Sequence, residues 1–450
     1  MTRALTALRF TVRISGYLWQ TPFWEEWIGG ATPMTMTAKR RRVQKKLAAL
    51  PGVRRVRRPV SPGSSEQFDL YYVRGGRKSA HPLVIIPGGP GVASVQMYKG
   101  LRRRAAAAGL DVIMIEHRGV GLSRHTDSGA DLPPHALTVN QVVDDVAAVL
   151  DDARVDSAVI YGTSYGTYIA AGVGVRHPGR VRAMVLDSPL LSRHDIVIVR
   201  RAIRRLLLRG DSPETAPLAP KVRKLVDAGV MTASATQVVA TVYGYGGTTL
   251  LDRQLDLLLD DRKVLWWALS RFATLSNLPY RYEEDLVSRI AFRELDYAAE
   301  PDGLPLDPAV AERENRTQTA TFEDEPYDLP AEMPNFGWPT AVVSGGRDLI
   351  TPPAVAQRVA SLVPGAQLLK LPTMAHSALD FREPAALAIA GAVCRGELEG
   401  LAAQAPALDE LPPRPSVRLM WKAIEAAAVA EGALPALRVP TPLRRPVRSA

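Results

Sequence analysis

The chain has 450 residues, 46% apolar and 23% charged, an ordinary globular composition with length enough for one large core and an insertion. Its formal charge of +10 belongs to the ends: residues 1–60 hold 13 Lys/Arg against two acids and residues 412–450 hold seven against two, so the body between is mildly acidic. With no nucleic-acid recognition motif beside that charge, one cysteine (Cys394) and no apolar run of the roughly 18 residues a span requires, the composition argues against nucleic-acid binding, an intramolecular disulfide framework and a transmembrane helix.

Residues 1–64 read as a basic extension. Arg3, Arg9 and Arg13 interrupt any signal-peptide core, and the stretch Ile14 to Trp24 lacks a small-residue cleavage site, so a soluble cytoplasmic protein is expected. MTAKRRRVQKKLAALPGVRRVRRP reads as a helix-like basic arm with a solvated face. Trp19, Phe23, Trp24 and Trp27 upstream of it make a peripheral contact with an anionic membrane surface one alternative, and an intersubunit contact is another. Oligomeric state does not follow from the sequence.

From residue 65 strands and helices alternate. FDLYYVR (68–74) alternates in polarity, whereas HPLVIIPGG (81–89), DVIMIEHRG (111–119), DSAVIYG (156–162) and RVRAMVLDSP (180–189) are continuous apolar runs. Continuous apolarity marks strands buried on both faces, as in a parallel sheet covered by helices. VNQVVDDVAAVLDDA (139–153) is an amphipathic helix between two of them. After Pro189 the rhythm becomes helical, with the turn VYGYGG separating two helical segments, until PTAVVSGGRDLITPP (339–353), a helix over 353–363 and AQLLKLP (366–372) complete the sheet. The organisation expected is an α/β core over 65–189 and 336–396, a helical lid over 190–335 and a Pro/Ala-rich C-terminal extension over 397–450 with one helix near 416–431. Cys394, in a helix near 385–396, reads as a small buried apolar residue.

The chemistry starts at YGTSYGTYIA. A serine between glycines at a strand-to-helix turn has its hydroxyl pushed outward as a nucleophile, and Ser164 occupies that position. The pattern is common by chance, so its surroundings decide. Ser164 needs a base, and His376 in PTMAHSALD follows the last strand at the same sheet edge. The base needs an orienting acid: Asp348, after the strand in VVSGGRDL, is preferred to Asp187 in VLDSP. The order Ser164, Asp348, His376 is that of the α/β-hydrolases. His117, in EHRGVGLSR, reads as part of a turn that shapes the site. An oxyanion formed at the substrate carbonyl requires main-chain donors: the amide of Tyr165, after the nucleophile, and that of Gly89 in IIPGGPGVAS. No metal-ligand set, Walker pattern or complete dinucleotide fingerprint is present, so no cofactor is expected.

GGPG after a strand, HRGVGLS, GTSYGT, GRDLITPP and the final AHS together resemble the α/β-hydrolase serine peptidases that release amino-terminal residues, the proline iminopeptidases and tripeptidyl aminopeptidases. The resemblance covers roughly residues 65–395. Pro87 stands where that family's motif usually begins with histidine. The resemblance implies an aminopeptidase whose lid carboxylates hold the substrate's free ammonium, with Glu283, Glu284 and Glu294 as the candidates here. A carboxylic ester hydrolase with the same triad is the alternative, and a non-catalytic hydrolase-fold binding protein a third reading.

Overall fold

The structure, a computed structural model, describes residues 37–273, 277–315 and 320–433. Ten strands occur among them: β1 (Val53–Pro59), β2 (Gln67–Gly75), β3 (Leu83–Ile86), β4 (Val112–Ile115), β5 (Ala158–Thr163), β6 (Val181–Asp187), β7 (Asn277–Leu278), β8 (Tyr282–Glu283), β9 (Thr340–Gly345) and β10 (Gln367–Leu371). Eight form one sheet in the order β1-β2-β4-β3-β5-β6-β9-β10, and β7 and β8 form a separate hairpin. β1, β2 and β4 pair antiparallel. From β4 to β10 all neighbours are parallel.

The helices used below are α1 (Ala38–Ala48), α2 (Val139–Asp152), α3 (Tyr165–Arg176), α4 (Ala235–Leu259), α5 (Glu284–Leu295), α6 (Pro353–Leu362), α7 (Glu383–Cys394) and α8 (Pro415–Ala433). Every residue of β3, β4 and β5 is buried, which is why these strands are apolar without alternation. Successive side chains point to opposite faces. Val84, Ile86, Ile113 and Ile160 therefore meet α2, α3 and α6 through Val142, Val146, Ile169 and Val355, while Leu83, Ile85, Met114 and Tyr161 meet Leu101, Ile389 and Val393 behind the sheet.

The ends of the chain depart from the sequence reading. Residues 53–59, placed there in the basic extension, pair with β2 as the sheet's edge strand. Its sequence VRRVRRP leaves arginines facing solvent, a charged edge of the kind that resists pairing with another chain. Arg40, in the arm expected to be solvated, is buried. Residues Trp19, Phe23, Trp24 and Trp27 lie outside the described residues. In the lid, VYGYGG ends at the expected break: α4 is two helical segments meeting at a kink at Gly247, whose backbone is non-helical (φ 69°, ψ −168°). The C-terminal helix is present as α8, and it is part of the lid layer, since Trp421 and Ala428 pack with Val239, Leu251 and Leu255 of α4. None of the helices is long and apolar enough to cross a membrane, among the described residues.

Between β3 and β5 the sheet order reverses direction: the chain passes from β3 to β4 on one side, then to β5 on the other. Crevices at such reversals, beyond the carboxyl ends of the strands, are where open α/β sheets bind ligands. The loops carrying Gly88–Gly91 and Ser164 leave β3 and β5 there.

Candidate active site

Ser164 lies between the end of β5 and the start of α3 with φ 52° and ψ −127°, a conformation that costs an L-residue energy and persists only where its surroundings enforce it. Two glycines enforce it. A Cβ on Gly162 would fall 2.3 Å from the Gly166 carbonyl oxygen, and one on Gly166 would fall 2.2 Å from that of Ile86. The elbow can therefore close on itself only with hydrogen at 162 and press against β3 only with hydrogen at 166. Its amide donates to the Asp187 carbonyl at 2.9 Å.

The loop after β3 comes directly to the serine, since a Cβ on Gly88 would lie 3.1 Å from Ser164 Cβ and 3.7 Å from its Oγ. Gly89 (φ 120°) and Gly91 (φ 123°) both take left-handed backbone, open to glycine. Tyr165 is the first residue of α3, so its N–H has no acceptor within the helix and stands at the positive end of the helix dipole. Both expected oxyanion donors thus belong to segments that border Ser164.

His376 Nδ1 lies 2.9 Å from Asp348 Oδ2. Asp348 is buried and accepts three further hydrogen bonds: from the Ile350 amide (2.8 Å), the Thr351 amide (2.9 Å) and the Thr351 hydroxyl (2.8 Å). Burial disfavours the charged imidazole, but the adjoining Asp348 carboxylate outweighs it and holds His376 above its ordinary 6.5. Burial likewise pushes Asp348 upward, and the attraction of His376 together with the Thr351 donors overcomes it, leaving the carboxyl below 3.8. Residues next to the serine and to the histidine touch: Thr163 Oγ1 donates to Ser377 Oγ at 2.9 Å.

Asp187, the competing acid, is engaged elsewhere. It accepts from the amides of Ala378 and Leu379 and from the Tyr161 hydroxyl, each at 3.0 Å, and so pins the segment that follows His376. Ser188 Oγ accepts from the Ser377 amide at 3.0 Å. From the lid, the Tyr245 hydroxyl of α4 donates to the His376 carbonyl at 3.1 Å. The ring of Tyr245 lies between Phe381 and Trp421 of α8, with centroids 4.1 and 5.1 Å away. These supports escaped the sequence reading; only Asp187, as a strand-end acid, left any signal.

The three lid carboxylates separate. Glu283 is fully buried with both oxygens bound by Arg40, and this engagement corrects the reading of Glu283 as a substrate ligand. Glu284 is buried and accepts from the Tyr282 hydroxyl at 2.7 Å, with its Cα 3.0 Å from where a Gly91 Cβ would be. Glu294 accepts from the amide of Val139 at the start of α2, 2.8 Å away, and burial pushes its carboxyl up to about 7. Burial also raises the Tyr165 phenol, with the Glu294 charge adding to it, and that hydroxyl is buried with no hydrogen-bond partner among the described residues. His117 is held neutral, burial pulling it down to about 4. Cys394 has its thiol pushed up to about 11 by burial, so it is a poor nucleophile.

Residues 81–210 match the family of the alpha/beta hydrolase fold, and the six-stranded parallel run with the serine elbow after β5 agrees with it. The chain has the α/β-hydrolase fold. Among relatives of this α/β-hydrolase, the proline iminopeptidase of Arabidopsis thaliana is 26% identical over 142 residues, 30% of this chain and 34% of that enzyme. The match thus spans about a third of the plant protein's length. Rhodomycin D methylesterase DauP of Streptomyces sp. (strain C5) is 25% identical over 332 residues, 74% of this chain and 97% of that protein. A solved proline iminopeptidase from Mycobacterium smegmatis covers 76% of this chain and 99% of its own, at 16% identity and a TM-score of 0.46.

Proposed function

We propose that this α/β-hydrolase is a serine hydrolase that cleaves an acyl bond through an acyl-Ser164 intermediate, and that its substrate is the amino-terminal end of a peptide. The observation that carries the reading is the Thr163–Ser377 hydrogen bond, which joins the strained serine elbow to the loop bearing His376, the partner of Asp348. Ser164 Oγ attacks the carbonyl carbon while His376 Nε2 takes its proton. The amides of Gly89 and Tyr165 meet the oxyanion. His376 returns the proton to the departing amine as the C–N bond breaks; water, deprotonated by the same ring, then releases the acid and Ser164. Asp348 stays ionised and keeps the ring proton on Nδ1.

Peptide specificity is supported by the GGPG, GTSYGT and GRDLITPP motifs and by the proline iminopeptidases among the relatives. Ester hydrolysis is the second reading, favoured by the long match to a methylesterase. A panel of aminoacyl and short-peptide arylamides, set beside short-chain aryl esters, separates the two. Arylamide turnover that vanishes, together with fluorophosphonate labelling, in Ser164→Ala supports the peptidase. Turnover of esters alone supports the second reading, and a Ser164→Ala variant with wild-type rates overturns both.

A further inference from the structure

Glu283 does two things at once. Its main-chain N–H donates to the Gly91 carbonyl at 2.8 Å, and the Ala93 N–H donates to the Arg281 carbonyl at 2.8 Å, so the β7–β8 hairpin is stitched antiparallel to the loop that carries Gly89. The join is tight, because a Cβ on Gly91 would fall 3.0 Å from the Glu283 carbonyl oxygen. Its side chain meanwhile points into the protein and is fully buried.

Arg40 of α1 meets that side chain as a fork. Nη1 and Nη2 each lie 2.8 Å from one carboxylate oxygen, and the two side chains are 4% and 0% exposed. Every other edge of the guanidinium is engaged too: Nε donates to His125 Nε2 at 2.9 Å, Nη2 approaches the Gly121 carbonyl at 3.3 Å, and the Tyr280 ring lies 4.6 Å beneath. The Tyr280 hydroxyl donates back to the Arg40 carbonyl at 2.9 Å. The amides of Gly121 and Tyr280 complete the coordination of Glu283, each at 2.8 Å. The groups facing Glu283 also include Arg124, whose Nη1 is 3.8 Å away, and the buried Glu116, whose carboxyl is pushed upward by burial, with the Glu283 charge adding to it.

We propose that Arg40 is a positioning residue for the oxyanion loop: by neutralising Glu283 from outside the hydrolase core, it latches the lid hairpin, and through it Gly91–Ala93, in the register that aims the Gly89 amide at the substrate oxygen. This rests on the acyl-transfer reading above. Removing one partner of a buried ion pair leaves the other charge uncompensated, whereas replacing both with neutral groups does not. The prediction is therefore a non-additive one. The loss of Arg40 acts at the site through Glu283, whose amide holds Gly91, two residues beyond Gly89.

The test compares full-length wild type with Arg40→Gln, Arg40→Lys and Arg40→Gln/Glu283→Gln, on the best substrate found for wild type, at a temperature where circular dichroism shows each folded. Small misplacement of a transition-state donor lowers turnover more than binding, so Arg40→Gln is expected to lose roughly 10- to 100-fold in kcat with KM changed by less than about threefold. The double variant recovers to within about fivefold of wild type, and Arg40→Lys, which keeps the charge without the fork, falls between. Hydrogen exchange of the Ala93 and Glu283 amides quickens in Arg40→Gln and slows again in the double variant. Wild-type kcat and exchange in Arg40→Gln, or a double variant no better than the single, overturns the proposal; if Arg40→Gln does not fold, the double variant alone decides by the same measures. Absence of acyl hydrolysis by wild type instead sinks the functional reading, while the exchange comparison still judges the latch.

Discussion

Replacing Asp348 with asparagine tests the site through a single atom. Oδ1 accepts two main-chain amides, from Ile350 and Thr351, while Oδ2 faces the Thr351 hydroxyl and His376 Nδ1. In Asp348→Asn the two amides keep the carbonyl oxygen on their side, since the reverse orientation would set N–H against N–H. The new NH2 then points at His376 Nδ1, which becomes an acceptor, and the ring proton moves to Nε2, the nitrogen that has to receive the serine proton. A triad held in that tautomer loses about 10³–10⁴-fold in kcat, or ~4–5.5 kcal/mol of transition-state stabilisation. The assay is steady-state turnover of the preferred arylamide or ester, with circular dichroism to confirm folding and KM expected nearly unchanged. An Asp348→Asn enzyme that keeps more than about a tenth of its kcat refutes the reasoning, as does a larger loss in Asp187→Asn, which would make Asp187 the orienting acid.

Three further outcomes are expected. Because only neutral imidazole accepts the serine proton and Asp348 holds His376 above 6.5, kcat/KM should rise with pH through a midpoint above that value; a limb centred below it contradicts the assignment of the base. Gly166→Ala sets a Cβ against the main chain of Ile86 and Pro87 and should destabilise by about 3 kcal/mol or more, whereas Gly75→Ala, with open space around it, should stay within about 0.5 kcal/mol in a thermal melt. Glu294 has its folded-state pKa raised from 4.5 to about 7, so its favourable share of stability is whole below pH 4.5 and drains away as pH climbs to about 7. Glu294→Gln, which still accepts from Val139, should therefore gain on wild type across that window by about 2–3 kcal/mol and hold the gain above it; a constant difference in melting temperature across the same buffers rejects this.

What the sequence disclosed follows from which interactions are local. β3, β4 and β5 were legible because burial on both faces leaves a continuous apolar run, and the elbow because Gly162, Ser164 and Gly166 carry its steric demand within five positions. Glu283 was misread because its partner, Arg40, lies 243 positions away and no pattern around either residue announces the other. β1 was missed because VRRVRRP pairs by main-chain hydrogen bonds while its arginines imitate a solvated arm. Asp187 and Asp348 look alike as acids at strand ends. Three-dimensional register separates them: one carboxylate is taken up by the amides of residues 378 and 379, the other by an imidazole.

The Tyr245 hydroxyl ties the roof of this enzyme to the peptide carbonyl of its proposed base, and the indole of Trp421 braces that tyrosine from the chain's far end. Any displacement of α4 from this loop would break the tether, so the imidazole's setting is coupled to a helix remote from it in sequence. A cut made before residue 415 would remove the brace and loosen that coupling.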